Sequence, residues 1–185
     1  MMQGKWFSCA LMLAFVLGGV LEARAQSPEA VIGAEQHLTV GGDINGTYLG
    51  YGKRWIGGAG VNVDATLNRH LGVEGEANFT FYRTYEQTHV TTYMGGPRYQ
   101  FNGMGSGYRF RPYAKFLVGA AQYNFPLNYG SGSYFVMAPG GGVDYRMNYR
   151  WRLRLVDFEY QIPLQFSFGT TQNYAITTGV RYTIW

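Results

Sequence analysis

The chain has 185 residues, of which 27 are glycine, 17% aromatic and 14% charged, and its formal net charge is +4. Beyond a leader at the start, no apolar run reaches the roughly twenty residues of a spanning helix, which excludes a helical membrane protein. The small positive excess contains no basic run, which gives nucleic-acid binding little support.

The first 25 residues read as a signal peptide: Lys5 supplies a positive start, Phe7 to Leu21 an apolar core too short to span a bilayer comfortably, and Ala23-Arg24-Ala25 a small-x-small cleavage site before Gln26. The protein is therefore expected to be exported. Lys5 and Arg24 against Glu22 put one net positive charge in this leader, leaving +3 for the remainder. The only cysteine, Cys9, lies inside the leader's core, so the mature chain is expected to have no disulfide and no thiolate chemistry. Residues 26–36, which include Pro28, form a polar lead-in with at most one helical turn.

From Leu38 onward the sequence alternates with period two, which means extended strands with one apolar and one polar face. In the first, Leu38 to Tyr48, Val40, Ile44 and Tyr48 share one face and Thr39, Asp43, Asn45 and Thr47 the other. The second, Gly57 to Leu67, sets Ala59, Val61, Val63, Ala65 and Leu67 against Asn62, Asp64 and Thr66. In the third, Leu71 to Tyr82, Val73, Ala77, Phe79 and Phe81 oppose Glu74, Glu76, Asn78 and Thr80. The fourth spans about Val90 to Phe101, with Tyr93, Pro97 and Tyr99 on one face and Thr92, Met94, Arg98 and Gln100 on the other. Four more run from Arg111 to about Ala121, Tyr134 to Tyr145, Trp151 to Gln161 and Tyr174 to Ile184. Repeated amphipathic segments of roughly ten residues, separated by turn residues, are the signature of an all-β transmembrane antiparallel barrel, here of about eight strands over residues 37–185.

Two irregularities stand out. Pro97, Pro112 and Pro139 cannot donate to a ladder and are expected at strand ends or bulges. In the seventh strand Arg152 and Arg154 have one parity and Asp157, Glu159 and Gln161 the other, so a bulge near Leu155-Val156 is expected to return all five to one face.

The connections alternate in kind. Residues 68–70, 102–108 and 146–150 read as turns, whereas 50–55, 83–89, 122–133 and 162–173 are mostly longer and aromatic-rich, which places the turns and both termini in the periplasm. Tyr48, Tyr51, Trp55, Tyr82, Tyr85, Tyr123, Phe125 and Tyr160 are expected in an outer aromatic girdle. Tyr99, Phe101, Tyr145, Tyr149, Trp151 and Tyr182 are expected in an inner one.

The polar face gathers Asp43, Asp64, Glu74, Glu76, Asp144, Asp157 and Glu159 with Arg98, Lys115, Arg152, Arg154 and Arg181. An eight-stranded barrel is just wide enough for side chains to fill it. Charges there must be paired, since an uncompensated one costs several kcal/mol. The expectation is a lumen charge network, with Arg152 and Arg154 answering Glu74, Glu76 and Glu159, and the alternative is a narrow polar pore. Glu74 and Glu76 at i and i+2 among arginines suit a network better than a hydrolytic dyad. His37, His70 and His89 fall at strand ends, away from metal ligation or general-base work. No catalytic, cofactor or metal site is assigned.

At the C-terminus, Thr177-Thr178-Gly179-Val180-Arg181-Tyr182-Thr183-Ile184 resembles the assembly signal of bacterial outer-membrane barrels, carried by Thr177, Gly179, Tyr182 and Ile184, although here Trp185 overhangs the aromatic end. With Met94-Gly95-Gly96-Pro97-Arg98-Tyr99, Arg111-Pro112-Tyr113-Ala114-Lys115 and Ala138-Pro139-Gly140-Gly141-Gly142-Val143-Asp144-Tyr145, the chain from about Leu38 to Trp185 resembles the small eight-stranded barrel superfamily that includes the OmpA transmembrane domain. The resemblance implies residence in the bacterial outer membrane, contact with its lipid, and recognition by the barrel-assembly machinery. It names no activity. With no peptidoglycan-binding domain after the barrel, a wall-tethering role is not expected. Lipid A deacylases on such barrels carry a late histidine, and none follows His89 here.

The expected function is that of an integral outer-membrane barrel with a structural or surface-interaction role and no catalysis. A small low-conductance porin is the alternative. A secreted lipocalin-like carrier, with apolar residues inside, fits least, because the face bearing Asp43, Glu74, Glu76 and Arg152 is too charged for an apolar cavity. No surface ligand is assigned.

Overall fold

The computed structural model describes residues 37–50, 53–82, 89–124, 131–164 and 172–184, with only the backbone of Tyr82 and Ser131. The expected leader, the lead-in and Trp185 lie outside these residues, as do Tyr51, Tyr85 and Phe125. Eight strands follow one another: β1 Leu38–Leu49, β2 Arg54–Thr66, β3 Leu71–Tyr82, β4 His89–Gln100, β5 Phe110–Asn124, β6 Ser131–Arg146, β7 Trp151–Pro163 and β8 Asn173–Thr183. Each pairs antiparallel with the next, and β8 closes on β1. Closure leaves no strand edge, the condition for β-structure in hydrocarbon, where an unpaired backbone group costs several kcal/mol.

The strands run from 11 to 16 residues, enough for tilted strands to cross a bilayer. Several extend further than the alternation suggests. β2 begins at Arg54, because Tyr48↔Trp55 and Leu49↔Arg54 continue the ladder, and β5 and β6 stay paired out to Asn124↔Ser131.

The alternation sorts residues as expected from their polarity. Ile44 (66% exposed), Val61, Val73, Phe81 and Phe116 stand on the outer wall, while Asp43, Asn62, Glu74 and Lys115 are buried inside. An apolar outer wall around a polar interior is the inverse of a water-soluble barrel.

The bulge in β7 lies where the charge parity reverses. The β7–β8 register shifts between Arg154 and Asp157, and the facing β6–β7 register shifts between Val143 and Asp144. Leu155 and Val156 both face outward, and Arg154, Asp157 and Glu159 all face in. The shift frees the Arg154 carbonyl on the lipid side, and the Thr178 hydroxyl donates to it at 2.8 Å.

The prolines correct the sequence reading. Pro112 is the third residue of β5, but Pro97 and Pro139 lie within β4 and β6. The β4–β5 pairing passes from Gly95↔Val118 to Arg98↔Lys115, and the β6–β7 pairing from Met137↔Ile162 to Gly140↔Glu159, with the register unchanged in each case. The barrel absorbs these two prolines as local gaps in one ladder, with no bulge.

Two of the turns share one device. Asn68 Oδ1 accepts from the amides of His70 and Leu71, and Asn148 Oδ1 from those of Arg150 and Trp151, each pair at 3.0 and 2.8 Å. The side chain thus stands in for a backbone acceptor and fixes the reversal. The β4–β5 turn is longer and needs positive φ at Gly105 (79°) and Gly107 (71°), which glycine adopts without steric cost.

Candidate functional site

The lumen has two layers. Toward the turn end, four cations project from β4, β5, β7 and β8: Arg98, Lys115, Arg154 and Arg181, none more than 5% exposed. Seven carboxylates surround them: Asp43 on β1, Asp64 on β2, Glu74 and Glu76 on β3, Asp144 on β6, and Asp157 and Glu159 on β7.

Contacts cross the lumen in every direction. Arg154 Nη2 on β7 donates to Glu74 Oε1 on β3 at 2.5 Å, and Arg154 also lies 3.3 Å from Asp157 and 3.8 Å from Asp43. Lys115 Nζ bridges β3 and β7, at 3.0 Å from Glu76, 2.9 Å from Asp157 and 2.5 Å from Glu159. Arg98 donates to Asp64 on one side (2.7 Å) and Asp144 on the other (2.6 Å), and its guanidinium lies 3.8 Å from the centre of the Tyr113 ring. Arg181 donates to the same Asp144 oxygen at 2.9 Å and to Asn62 Oδ1 at 3.1 Å. Neutral groups complete the layer: Asn62 donates to Asp43, and the Tyr113 hydroxyl to Asp157. Charge-assisted hydrogen bonds of this kind are the strong ones, and in a low-dielectric interior they reinforce one another.

Eleven of the twelve charges singled out in the sequence are thus brought together. Arg152 is not. It is half-buried near the start of β7, its cross-strand neighbours are Arg146 and Arg181, and among the described residues it makes no ion pair within 4 Å. Parity gives Arg152 the right face, but its depth leaves it outside the network. Asn62 and Tyr113, in contrast, were not singled out by sequence reasoning, and their inward parity beside Asp64 and Lys115 was the available signal.

The second layer continues from Lys115 away from the turn end and is largely apolar, with Thr47, Thr80, Thr92, Gln161 and Asn173 among its buried side chains. Leu49, Ile56, Val90, Met94, Leu117, Ala121, Tyr123, Val136 and Ala138 pack together inside the barrel. Sequence reasoning assigned the interior to polar residues and missed this layer. It also placed Tyr123 in the outer girdle, whereas Tyr123 is 4% exposed and accepts a hydrogen bond from Asn173 at 2.7 Å. Other expected girdle aromatics, Tyr149 excepted, do gather on the wall. Tyr48 packs at a tilt against Trp55 and Tyr174 at the end opposite the turns, and Trp151 packs edge-on against Tyr182 (5.0 Å) at the turn end. Tyr149, 90% exposed, stands clear of the wall in its turn.

The histidines sit at element ends. His70 Nδ1 is 2.9 Å from the Gln100 carbonyl, and its ring stacks on Tyr99. Among the described residues no group of three or more His, Cys, Asp or Glu is placed to hold a metal ion.

The proposed assembly-signal residues lie along β8 and, for Ile184, one residue beyond it. Thr177 is buried in the lumen, and Gly179 packs against the β1 backbone at Asp43. Tyr182 pairs with Val40, and the Ile184 amide donates to the Leu38 carbonyl at 2.8 Å.

Comparison with known proteins agrees with this architecture. The profile of the outer membrane protein beta-barrel domain family matches residues 11–183. Similar solved structures include Neisserial surface protein A, NspA (14% identity, TM-score 0.56, covering 78% of this chain and 96% of that one). The N-terminal β-barrel domain of Pseudomonas aeruginosa OprF is similar at 15% identity and TM-score 0.55, covering 81% of this chain and 100% of that one. The Yersinia pestis attachment invasion locus protein Ail, solved with the heparin analogue sucrose octasulfate, is similar at 16% identity and TM-score 0.52, covering 83% and 100%. These likenesses show the fold. No curated protein matches the sequence.

Proposed function

The chain belongs to the outer membrane protein beta-barrel domain family, an integral barrel of the bacterial outer membrane, and from that premise we propose that it is a sealed barrel with a structural or surface-interaction role and no catalysis. One observation carries this reading. Arg154 on β7 and Glu74 on β3 lie on opposite walls of an eight-stranded barrel, and their side chains meet at 2.5 Å. A pair spanning the full width supports a lumen filled by side chains at that depth, as an eight-stranded barrel allows.

The layer beyond it supports the same reading by different physics: Ile56, Val90, Met94, Leu117 and Val136 cluster there among Thr47, Thr80 and Thr92, and hydrophobic side chains resist wetting. A porin needs a water-filled lumen, and both layers oppose one. A hydrolase needs a cleft open to substrate, whereas the carboxylates here are bound to cations. Normal insertion would rest on recognition of Thr177, Gly179, Tyr182 and Ile184 by the assembly machinery. Liposome swelling tests the seal: vesicles containing the refolded barrel should shrink and stay shrunken in small sugars, as protein-free vesicles do. Rapid re-swelling would reinstate the porin.

A further inference from the structure

We propose that the turn-end rim of the barrel is a binding collar for anionic phospholipid headgroups, formed by Arg69, Arg109, Arg146 and Arg150. The inference starts from how charge is partitioned. Every Asp and Glu among the described residues is buried in the lumen, so the barrel's outer surface there carries no carboxylate. The arginines at the turn end are of the opposite disposition. Arg69, Arg109 and Arg150 are exposed and Arg146 half-exposed, and the turn segments 66–71, 101–110 and 145–152 contain no acidic residue.

The lumen's surplus of carboxylates over cations does not account for this rim, because Arg109 and Arg150 are held on the outer wall. Arg109 Nη1 donates to the Tyr145 hydroxyl at 3.2 Å, and Arg150 Nη1 donates to the Tyr182 hydroxyl at 3.1 Å. Both tyrosines stand on the outer wall, Tyr145 against Phe110 and Tyr182 against Trp151, in the aromatic belt that marks headgroup depth. The tyrosine hydroxyls therefore hold two guanidinium groups at the perimeter, at the level of lipid phosphates. Arg146 Nη2 is held in turn by the Gly107 carbonyl at 3.3 Å, beside Arg109. Arg69 extends the positive rim to the β2–β3 turn. Guanidinium is the cation best shaped for bidentate phosphate contact, and its remaining donors stay available after one bond to a tyrosine.

The partner this geometry fits is a ring of anionic phospholipids in the leaflet facing the turns. A soluble polyanion would need no placement at headgroup depth. The inference rests on the barrel's place in the membrane and is independent of whether the lumen conducts.

The test uses the full barrel refolded in phosphatidylcholine bilayers carrying spin-labelled phosphatidylglycerol or spin-labelled phosphatidylcholine, with the motionally restricted fraction read by electron paramagnetic resonance. The protein should select phosphatidylglycerol, by up to about fivefold for each engaged arginine, and the preference should fall as salt is raised. The triple variant Arg69→Gln/Arg109→Gln/Arg150→Gln should lose most of it while retaining heat-modifiable migration. If the triple variant does not fold, the salt titration of the wild-type protein and the three single variants decide. Equal restriction of the two lipids, or a preference unchanged by salt or by the substitutions, would overturn the proposal. So would arginine-dependent sedimentation with peptidoglycan sacculi in the absence of any lipid preference.

Discussion

Arg154 and Glu74 meet at 2.5 Å across the barrel, one from β7 and the other from β3, with each side chain at most 1% exposed. Around them four cations hold seven carboxylates, so each cation serves several acids and none is dispensable. Arg154→Ala is therefore expected to leave Glu74, Asp43 and Asp157 short of a partner and to destabilise the barrel by about 3–5 kcal/mol, the penalty for breaking a buried pair. Arg152→Ala, which removes a cation outside the network, should change stability by no more than about 0.5 kcal/mol. Urea unfolding midpoints of the two variants in lipid check this, and equal effects would contradict it.

The bulge makes its own prediction. Thr178→Val removes the donor to the Arg154 carbonyl while keeping side-chain shape and adding an apolar group to the lipid face. The orphaned carbonyl then faces hydrocarbon, at a cost of about 1–3 kcal/mol, read from the same unfolding experiment. A neutral substitution would show that the carbonyl finds another partner.

Closure of the barrel depends on the approach of β8 to β1. A Cβ at Gly179 would lie 2.3 Å from the Gly42 carbonyl oxygen and 2.8 Å from Asp43 Cα, both backbone atoms that cannot swing aside, whereas a Cβ at Gly42 would meet nothing within 4 Å. Gly179→Ala should reduce refolding yield and stability, by at least the roughly 1–3 kcal/mol of an overpacked site, and Gly42→Ala should not. Gel-shift refolding assays separate the two.

How far the sequence leads is clear from particular residues. The reversal of parity between Arg154 and Asp157 located the β7 bulge, because charge cannot face lipid and only an extra residue restores the face. Period two also gave each strand its inward side. It did not give depth: Arg152 and Arg154 share a face, and only the position along the strand separates a networked arginine from one near the rim. Nor did it reveal the apolar layer. Where both faces are apolar, as around Leu117 and Val136, polarity no longer says which is inside, and the answer comes from closure of the sheet. A lost donor is costly, which argues for ends or bulges at Pro97 and Pro139, but a local gap in one ladder leaves the register intact.

Removal of residues 182–185 should block insertion. It deletes Tyr182 and Thr183, which pair with Val40 and Thr39, and the Ile184 amide that donates to Leu38, leaving the start of β1 without its neighbour. Fractionation of cells expressing the truncated chain checks this: it should be absent from the outer membrane, and normal insertion would show that neither the terminal segment nor its pairing is needed.

The central claim is that the lumen is sealed, and planar-bilayer recording of the refolded wild-type protein tests it most directly. The charged layer held by Arg154 and Glu74, together with the apolar layer outside it, predicts a bare-membrane baseline under applied voltage. Stable unitary currents that scale with salt concentration and change selectivity in Arg154→Ala, in a barrel whose stability that substitution leaves unaltered, would contradict it.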